Sequence, residues 1–550
     1  MKFMRFAQNK IESLGHGLFG FISNNAFLDN PTFRGLRRSL LECYNELYIL
    51  NLHGNARKKE KTPQGAQDEN VFNIMQGVSI NLFVKNPQIT KPKIRYCDVY
   101  GQRAEKYAFL AQNDLNSIEW LELTPREPFY LLLPLKTRLL DEYEQGFSVK
   151  DMFQISSVGI VTGRDRIFIA NNTESLKEQV LKYCNEFNEQ CIKDIHYRPF
   201  DIRKVYYDTK KLERARENTF KHMLPPPTNP KTPNQTRKNV ALITSRRFCQ
   251  SQKSGVGFVS NKISDLRTWT CPGMEGGDYV NPLYHNPNYT ENFTPKFRGF
   301  IDKHYNHSFE PLEILGYIYA LLYSPNYRKR YEDFLKADYP KILFTENKDL
   351  FRVLSLLGIE LIGLHVLNQE SLNYSFEKLK DDTIGESCYI EVHERNPIIK
   401  KPSHNEQRLY INHSAYFSGV SQEIYDYRIG GYCVLDKYLK SHKNEPCDFD
   451  HVTRIIKVIA CTIEIQKTLG FLTSDLPHLK GNDSKALMQE ILQNPPPPPP
   501  FNTNVALILS RQAKAIGDLD FDGAFISKEA SDNNIYRRGG GSVFPLFCLA

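Results

Sequence analysis

Residues 18–52 read LFGFISNNAFLDNPTFRGLRRSLLECYNELYILNL, and this stretch decides the fold. Leu18–Ser23 is a short apolar run bounded by glycine and asparagine, the pattern of a buried strand. Asn30-Pro31 then opens a helix. The asparagine serves as cap, and proline fits the first turn because its missing N–H would have no intrahelical partner there. Phe33, Leu36, Leu40 and Leu41 form the apolar stripe of that helix. Glu46–Leu52 is a second strand. Strand, helix, strand predicts an α/β layer with a largely parallel sheet. Outward from it, Phe3–Leu14 has helical spacing and Val78–Val84 (VSINLFV) is a third strand.

Between the second and third strands lies a polar loop, His53–Asp68, carrying Arg57, Lys58, Lys59 and Lys61. Such a loop is either plain solvated surface or a face turned toward a polyanion, since long loops in α/β proteins often carry function. Gly15-His-Gly-Leu-Phe-Gly20 has GxGxxG spacing. It precedes a strand instead of following one and opening a helix, so it reads as a helix-to-strand turn and not as a nucleotide cradle.

Residues 91–150 read as a mixed connector. The text from 151 to 300 is strand-rich, with turns at Gly159, Gly163, Gly255, Gly257 and Gly273. Residues 203–222 (RKVYYDTKKLERARENTFKH) are basic with interleaved tyrosines, which suits either phosphate tracking or a solvated surface helix. Residues 311–336 predict two helices hinged at Ser324-Pro325. Residues 347–367 and 449–468 predict amphipathic helices. After Asn494 come six prolines, Pro495–Pro500, a stiff polyproline II spacer.

The last fifty residues repeat an earlier stretch. Asn239-Val-Ala-Leu-Ile recurs as Asn504-Val-Ala-Leu-Ile, Phe258-Val-Ser as Phe525-Ile-Ser, and Gly276–Tyr284 as Gly539–Phe547. The first copy runs on into a long domain and the second stops at Ala550. A working array needs complete neighbours to stack on, so the second copy reads as a partial segment left by recombination or a frameshift.

Bulk composition narrows the classes. A chain of 550 residues suggests about three to four domains. With 41% hydrophobic and 12% aromatic residues it is globular and not disordered. It has no apolar run of the roughly 18 residues a membrane span needs and no signal-peptide core, which predicts a cytoplasmic protein. Its eleven cysteines include no CxxC pair, against a zinc ribbon or disulfide scaffold. A net charge of +8 permits a polyanion partner without demonstrating one. Ser/His/Asp, HExxH and phosphate-loop arrangements are missing from the sequence. Asn494-Pro-Pro imitates the start of an Asn-Pro-Pro-aromatic motif, but Pro497 cannot stack on a base.

Several long blocks carry a family resemblance. They are residues 6–55, residues 58–85 (KKEKTPQGAQDENVFNIMQGVSINLFVK), IRYCDVYGQRAEKYAFL, SSVGIVTGRDRI, HYRPFDIRKVYYD, NVALITSRR and YRIGGYCVLDKYLK. In this order, over roughly residues 3–470, they resemble the C-terminal part of adenine-N6 DNA methyltransferases of the type ISP and related single-chain restriction–modification enzymes. The resemblance implies the end of a Rossmann-like methyltransferase sheet over 1–90, a connector over 91–150, and a mixed α/β target-recognition domain over 151–470. A linker over 471–500 and the partial repeat over 501–550 follow. The implied partner is double-stranded DNA. Two departures stand out: the family's glycine-rich S-adenosylmethionine motif and its Asn-Pro-Pro-Tyr tetrapeptide are both missing from this sequence. Methyl transfer with S-adenosylmethionine is therefore expected only if an upstream methyltransferase polypeptide supplies them. Otherwise the chain is a decayed fragment or a stand-alone specificity subunit. An unrelated nuclease is the weaker alternative, given no clustered acidic metal site.

Arginine to guanine, and asparagine or glutamine to adenine, are the efficient major-groove contacts, while lysine and arginine on loops hold phosphates. The DNA-contact candidates are Arg164 in TGRD, Arg246 and Arg247 in TSRR, Lys262 and Arg267, with Lys58 and Lys59 in the basic loop. For Arg164 the alternative is an ion pair with Asp165; for the TSRR pair it is an exposed strand end. Asp201 reads as structural, paired with Arg198 or Arg203. Ligands of open α/β sheets gather at the carboxyl ends of strands, so Asn24 and Asn25 are candidates to border an adenine pocket, whereas Asn30 reads more simply as a helix cap.

Overall fold

The alternation in Gly17–Asn24 puts Phe19 and Phe21 on one face and Leu18 and Ile22 on the other, as period-2 geometry requires. In the computed structural model this stretch is strand β1, and its second face is open: Leu18 is 64% and Ile22 51% exposed. The expected buried strand is thus a half-buried edge. The structure describes the whole chain except residues 1, 57–59, 128, 135–138, 225–238, 247–255, 271–276, 286–288, 380, 390–396, 477–484 and 498–550.

Around β1 the N-terminal unit contains α1 (Lys2–Leu14), α2 (Arg34–Cys43), β2 (Glu46–Asn51), β3 (Val78–Lys85), β4 (Lys93–Asp98), α3 (Arg103–Gln112) and β5 (Leu121–Leu123). The sheet order is β1-β3-β2-β4-β5. The expectation of a largely parallel sheet is corrected. Only β2–β4 pairs in parallel, and β1–β3, β3–β2 and β4–β5 are antiparallel. The reason is topological. The α2 crossover carries the chain from β1 to β2 in the same direction but leaves room for one strand, and β3 returns into that gap. β3 pairs along its length with both, from Gly17↔Lys85 to Asn24↔Val78 and from Glu46↔Val84 to Asn51↔Ser79. The carboxyl ends of β1, β2 and β4 consequently share one edge. Asn30 caps the short 3-10 turn Pro31–Phe33, its Oδ1 accepting from Thr32 N at 2.9 Å, and not α2 itself, which begins at Arg34 behind Phe33 without a side-chain cap. Arg37, fully buried on α2, donates to the carbonyls of Phe27, Asn30 and Phe129 and so ties the connector to this unit.

The larger unit opens with β6 (Phe147–Ser148), paired with Lys341–Ile342. Its strands are β7 (Ser157–Val158), β8 (Ile169–Ala170), β9 (Ile192–Arg198), β10 (Asp201–Tyr206), β11 (Ala241–Thr244), β12 (Phe258–Ser260), β13 (Ile263–Ser264) and β14 (Tyr279–Pro282). They form two sheets, β13-β9-β10-β8 and β12-β11-β14-β7. Every residue of β11 is buried, as expected of an inner strand covered on both faces. The first copy of the repeat therefore supplies three adjacent strands, β11, β12 and β14. The second copy lies outside the described residues, as do Pro498–Pro500.

Helices occupy Pro311–Tyr323, Lys348–His365 and Phe449–Leu472 where periodicity placed them, but the second helix expected within 311–336 breaks again at Tyr331, into Pro325–Arg330 and Glu332–Ala337. The break at Ser324-Pro325 arises because Ser324 leaves the helical region and its side chain accepts from Tyr327 N, starting a new helix. Pro311–Tyr323 and Lys348–His365 cross at Gly316 and Gly358, where a Cβ on Gly358 would stand 1.8 Å from the Gly316 carbonyl oxygen. Residues 203–222 are not a surface helix. They comprise most of β10, a loop and the single turn Glu217–Phe220, with Tyr206 and Tyr207 buried. No single described helix is long and apolar enough to cross a membrane.

Candidate nucleic-acid interface

At the shared strand edge of the N-terminal unit, polar side chains bond to one another. Asn24 is exposed and caps a short turn, its Oδ1 accepting from Ala26 N at 2.8 Å. Asn25 Nδ2 donates to Asn51 Oδ1 at 3.0 Å, and Asn51 Nδ2 to Tyr96 Oη at 2.8 Å. Tyr96 donates to Asp98, which also receives His53 Nε2 at 2.6 Å. His53 Nδ1 meets Glu60 Oε1 at 2.9 Å, and its ring stacks on Tyr100 at 3.8 Å. Burial pushes His53 down, but the carboxylates of Asp98 and Glu60 outweigh it and hold the imidazole above its ordinary value. Below this chain of contacts Asp68 and Lys106, both fully buried, pair at 2.9 Å, and Asp68 accepts from the N–H groups of Gly54 and Gly101. The base of the basic loop is thus anchored, while Lys58 and Lys59 lie outside the described residues.

The candidates of the larger unit disperse. Arg164 is exposed, 5.3 Å from the Tyr183 ring. Its expected partner Asp165 instead accepts from Thr162 and Tyr197, so that ion pair does not form. Arg246 pairs with Asp338 at 3.2 Å while its side chain stays 39% exposed; Arg247 lies outside the described residues. Lys262 pairs with Asp194 at 3.1 Å, and Asp194 also holds Lys204 at 2.6 Å. Arg267 is half-buried, its backbone N donating to Asp265 at 2.9 Å. Asp201 is structural as read, bound by Arg203 at 2.7 Å, whereas Arg198 pairs with Asp265 at 2.7 Å.

What the fold does bring together is a basic and aromatic notch. Arg198 lies 3.9 Å from the Tyr197 ring and 5.7 Å from that of Tyr432; Arg203 lies 4.5 Å from Tyr197; Lys437 lies 5.8 Å from Tyr432. Three segments build it. The β9–β10 hairpin supplies Tyr197, Arg198 and Arg203. The stretch after β13 supplies Asp265 and Arg267. The hairpin of Arg428–Ile429 and Tyr432–Cys433, with the helix Val434–Ser441, supplies Tyr432 and Lys437. Tyr432 Oη donates to the carbonyls of Arg267 and Thr270, 3.0 and 3.1 Å away. Gly430, at φ +57°, allows this approach, because a Cβ there would stand 2.3 Å from Trp269 O. Buried Asp278 holds the other side through the N–H groups of Trp269 and Thr270, and burial pushes it up to about 7. Site selection from the sequence missed Tyr197, Tyr432 and Lys437. Their signal was alternation of tyrosine with cations in HYRPFDIRKVYYD and YRIGGYCVLDKYLK, two blocks more than 200 residues apart.

The two sheets and the helices that accompany them make a mixed α/β unit. Residues 184–465 match the family described as the Type ISP C-terminal specificity domain, and the chain belongs to that family. None of the curated proteins compared matches it. Among solved structures, the fold is similar to the ATP-dependent Type ISP restriction–modification enzyme LlaBIII bound to DNA, with a TM-score of 0.63 and 21% identity over 85% of this chain and 33% of that one. It is also similar to DrdV in its DNA complex, with a TM-score of 0.63 and 19% identity over 85% of this chain and 51% of that one. A nuclease-deletion mutant of the Type ISP enzyme LlaGI with a DNA substrate mimic gives a TM-score of 0.61 and 20% identity over 86% and 47%. This chain spans between a third and about half of those chains.

Proposed function

We propose that this chain reads the sequence of duplex DNA for a restriction–modification enzyme that methylates adenine at N6, with residues 151–470 as the reading domain. One observation carries the proposal: the cationic notch lies inside residues 184–465, the stretch that belongs to the specificity-domain family. The similar structures LlaBIII, DrdV and LlaGI were all solved with DNA or a DNA mimic. Chemistry supports the same reading, because arginine forks suit guanine edges and phosphates alike. The test is selection of duplexes from a random pool by the purified chain. Enrichment of one motif supports the proposal, and retention of duplexes without any motif at low salt overturns sequence reading.

S-adenosylmethionine has no step assigned to this chain. The sequence holds no glycine-rich motif to cradle it, and Asn25, Asn51, His53 and Asp98 at the strand ends are engaged with one another. In this reading an upstream methyltransferase polypeptide holds the methyl donor. A place for it is the open face of α1 and β1, where Phe3, Phe6, Leu14, Leu18 and Ile22 are all more than half exposed. Co-expression with the upstream frame tests this: N6-methyladenine from the pair alone supports it, and none from the pair leaves an inactive remnant.

A further inference from the structure

We infer that Arg198, Arg203 and Lys437 form a clamp for one DNA backbone phosphate, with Lys437 as the cation that the phosphate neutralises; this rests on the DNA-reading proposal above. The geometry starts from two shared rings. Arg198 and Arg203 both stand over Tyr197, and Arg198 and Lys437 both face Tyr432, so the rings hold three cations around one notch.

Charge accounting singles out Lys437. Arg203 is matched by Asp201 at 2.7 Å and Arg198 by Asp265 at 2.7 Å. Asp201 is also approached by His442 at 3.4 Å, which itself meets Glu445 at 2.7 Å. On the next turn of the Lys437 helix, Lys440 takes Asp436 at 2.9 Å. The Lys437 ammonium itself makes no hydrogen bond or ion pair among the described residues. Burial, with Arg198 and Arg203 close by, holds it below its ordinary value against the smaller opposing pull of Asp201 and Asp436. A half-buried ammonium with no direct ion pair among the described residues, beside two guanidinium groups, is an unfavourable arrangement that an anion relieves.

The two arginines are also held in place before any contact. The Arg198 and Arg203 side chains are only 12% and 15% exposed, fixed by their carboxylates and held over tyrosine rings, so little side-chain freedom is lost on contact. Arg198 and Arg203 already spend donors on Asp265 and Asp201, which leaves them poor readers of a base edge. A phosphate oxygen needs only positive potential and a few remaining N–H groups. The clamp therefore positions the duplex without informing sequence, and Arg164, exposed and without an ion pair among the described residues, is left to a base edge.

The test is a salt series on the full chain with duplex DNA of arbitrary sequence. Each phosphate contact contributes about 0.9 to the slope of log K against log salt. Lys437→Gln is expected to lower that slope by about one and to weaken binding uniformly across sequences. Lys437→Arg should keep the slope, and Lys440→Gln, which removes a neighbouring paired lysine, should leave it unchanged. An unaltered slope in Lys437→Gln overturns the clamp while DNA reading stands. A motif preference that shifts in Lys437→Gln also overturns it, by making the residue a base reader. Failure of the unmodified chain to bind any duplex at low salt overturns both.

Discussion

Arg34 Nη2 lies 2.8 Å from Asp338 Oδ2, an ion pair that spans 304 positions of sequence. The same carboxylate receives Arg246 at 3.2 Å, so Asp338 joins α2 of the N-terminal unit to the end of β11 in the larger one. The three side chains are 21–39% exposed, which keeps the worth of the joint near 1 kcal/mol after solvent screening. Asp338→Ala should therefore lower Tm by about 2 °C or less. In that background Arg34→Ala should cost less than in the native chain, because its carboxylate partner is already gone and only its packing over Phe129 remains. Thermal melts of the two single variants and the double check this, and additive losses would show that the pair does not act together.

His53 makes the N-terminal unit sensitive to pH. Asp98 and Glu60 raise its folded pKa above the ordinary value against the opposing pull of burial. A raised histidine contributes stability that is complete below about pH 6.5, its unfolded value, and is lost as pH rises through the folded value. Urea midpoints taken from pH 6 upward should fall more steeply for the native chain than for His53→Gln. Parallel curves would remove the imidazolium from this role.

Lys106 and Asp68 pair with both side chains at 0% exposure, and Lys106 also donates to the carbonyls of Leu52 and Glu69. Removing one member strands the other as a buried charge, a loss of about 3–5 kcal/mol. Lys106→Met should be strongly destabilised, and adding Asp68→Asn should recover part of the loss. Denaturant unfolding of the two variants distinguishes this from a simple packing defect, in which the second change would only add damage.

Gly316 and Gly358 let two helices touch backbone to backbone. Gly358→Ala forces its Cβ against a carbonyl only 1.8 Å away, so the helices must part. Overpacking of this kind costs about 1–3 kcal/mol or more. Gly299→Ala, where nothing lies within 4 Å, is the helical control and should be neutral or slightly stabilising. Equal melting temperatures for the two variants would contradict the close crossing.

Local patterns were legible in the sequence wherever one segment sufficed. The helix at Pro311–Tyr323, its break at Ser324, the cap at Asn30 and the turn at Gly15–Gly17 all follow from neighbours in the chain. Strand direction was not legible, because the gap between β1 and β2 is filled by β3, a segment drawn from beyond a long loop. The site was legible only in pieces. Arg164 stands exposed without the alternative Asp165 pair, but Lys262 and Arg246 are engaged with Asp194 and Asp338, residues remote in sequence. The notch needed Tyr197 and Tyr432 to flank Arg198 together, which only the tertiary fold arranges.

Arg164 gives the sharpest separation between reading and holding DNA. It sits at the start of the short helix Asp165–Phe168, exposed, with its guanidinium over Tyr183 and its neighbour Asp165 engaged elsewhere. Nothing in the core depends on it, so Arg164→Ala should melt like the native chain. If it contacts a base edge, the loss falls on the preferred sequence alone, by about ten-fold or more, with arbitrary duplexes bound almost as before. Lys437→Gln should show the opposite pattern, an equal loss on every sequence with a shallower salt slope. Titrating both variants against the selected motif and a scrambled duplex separates the roles. An Arg164→Ala protein whose affinity falls equally on both duplexes would reassign that arginine to the backbone.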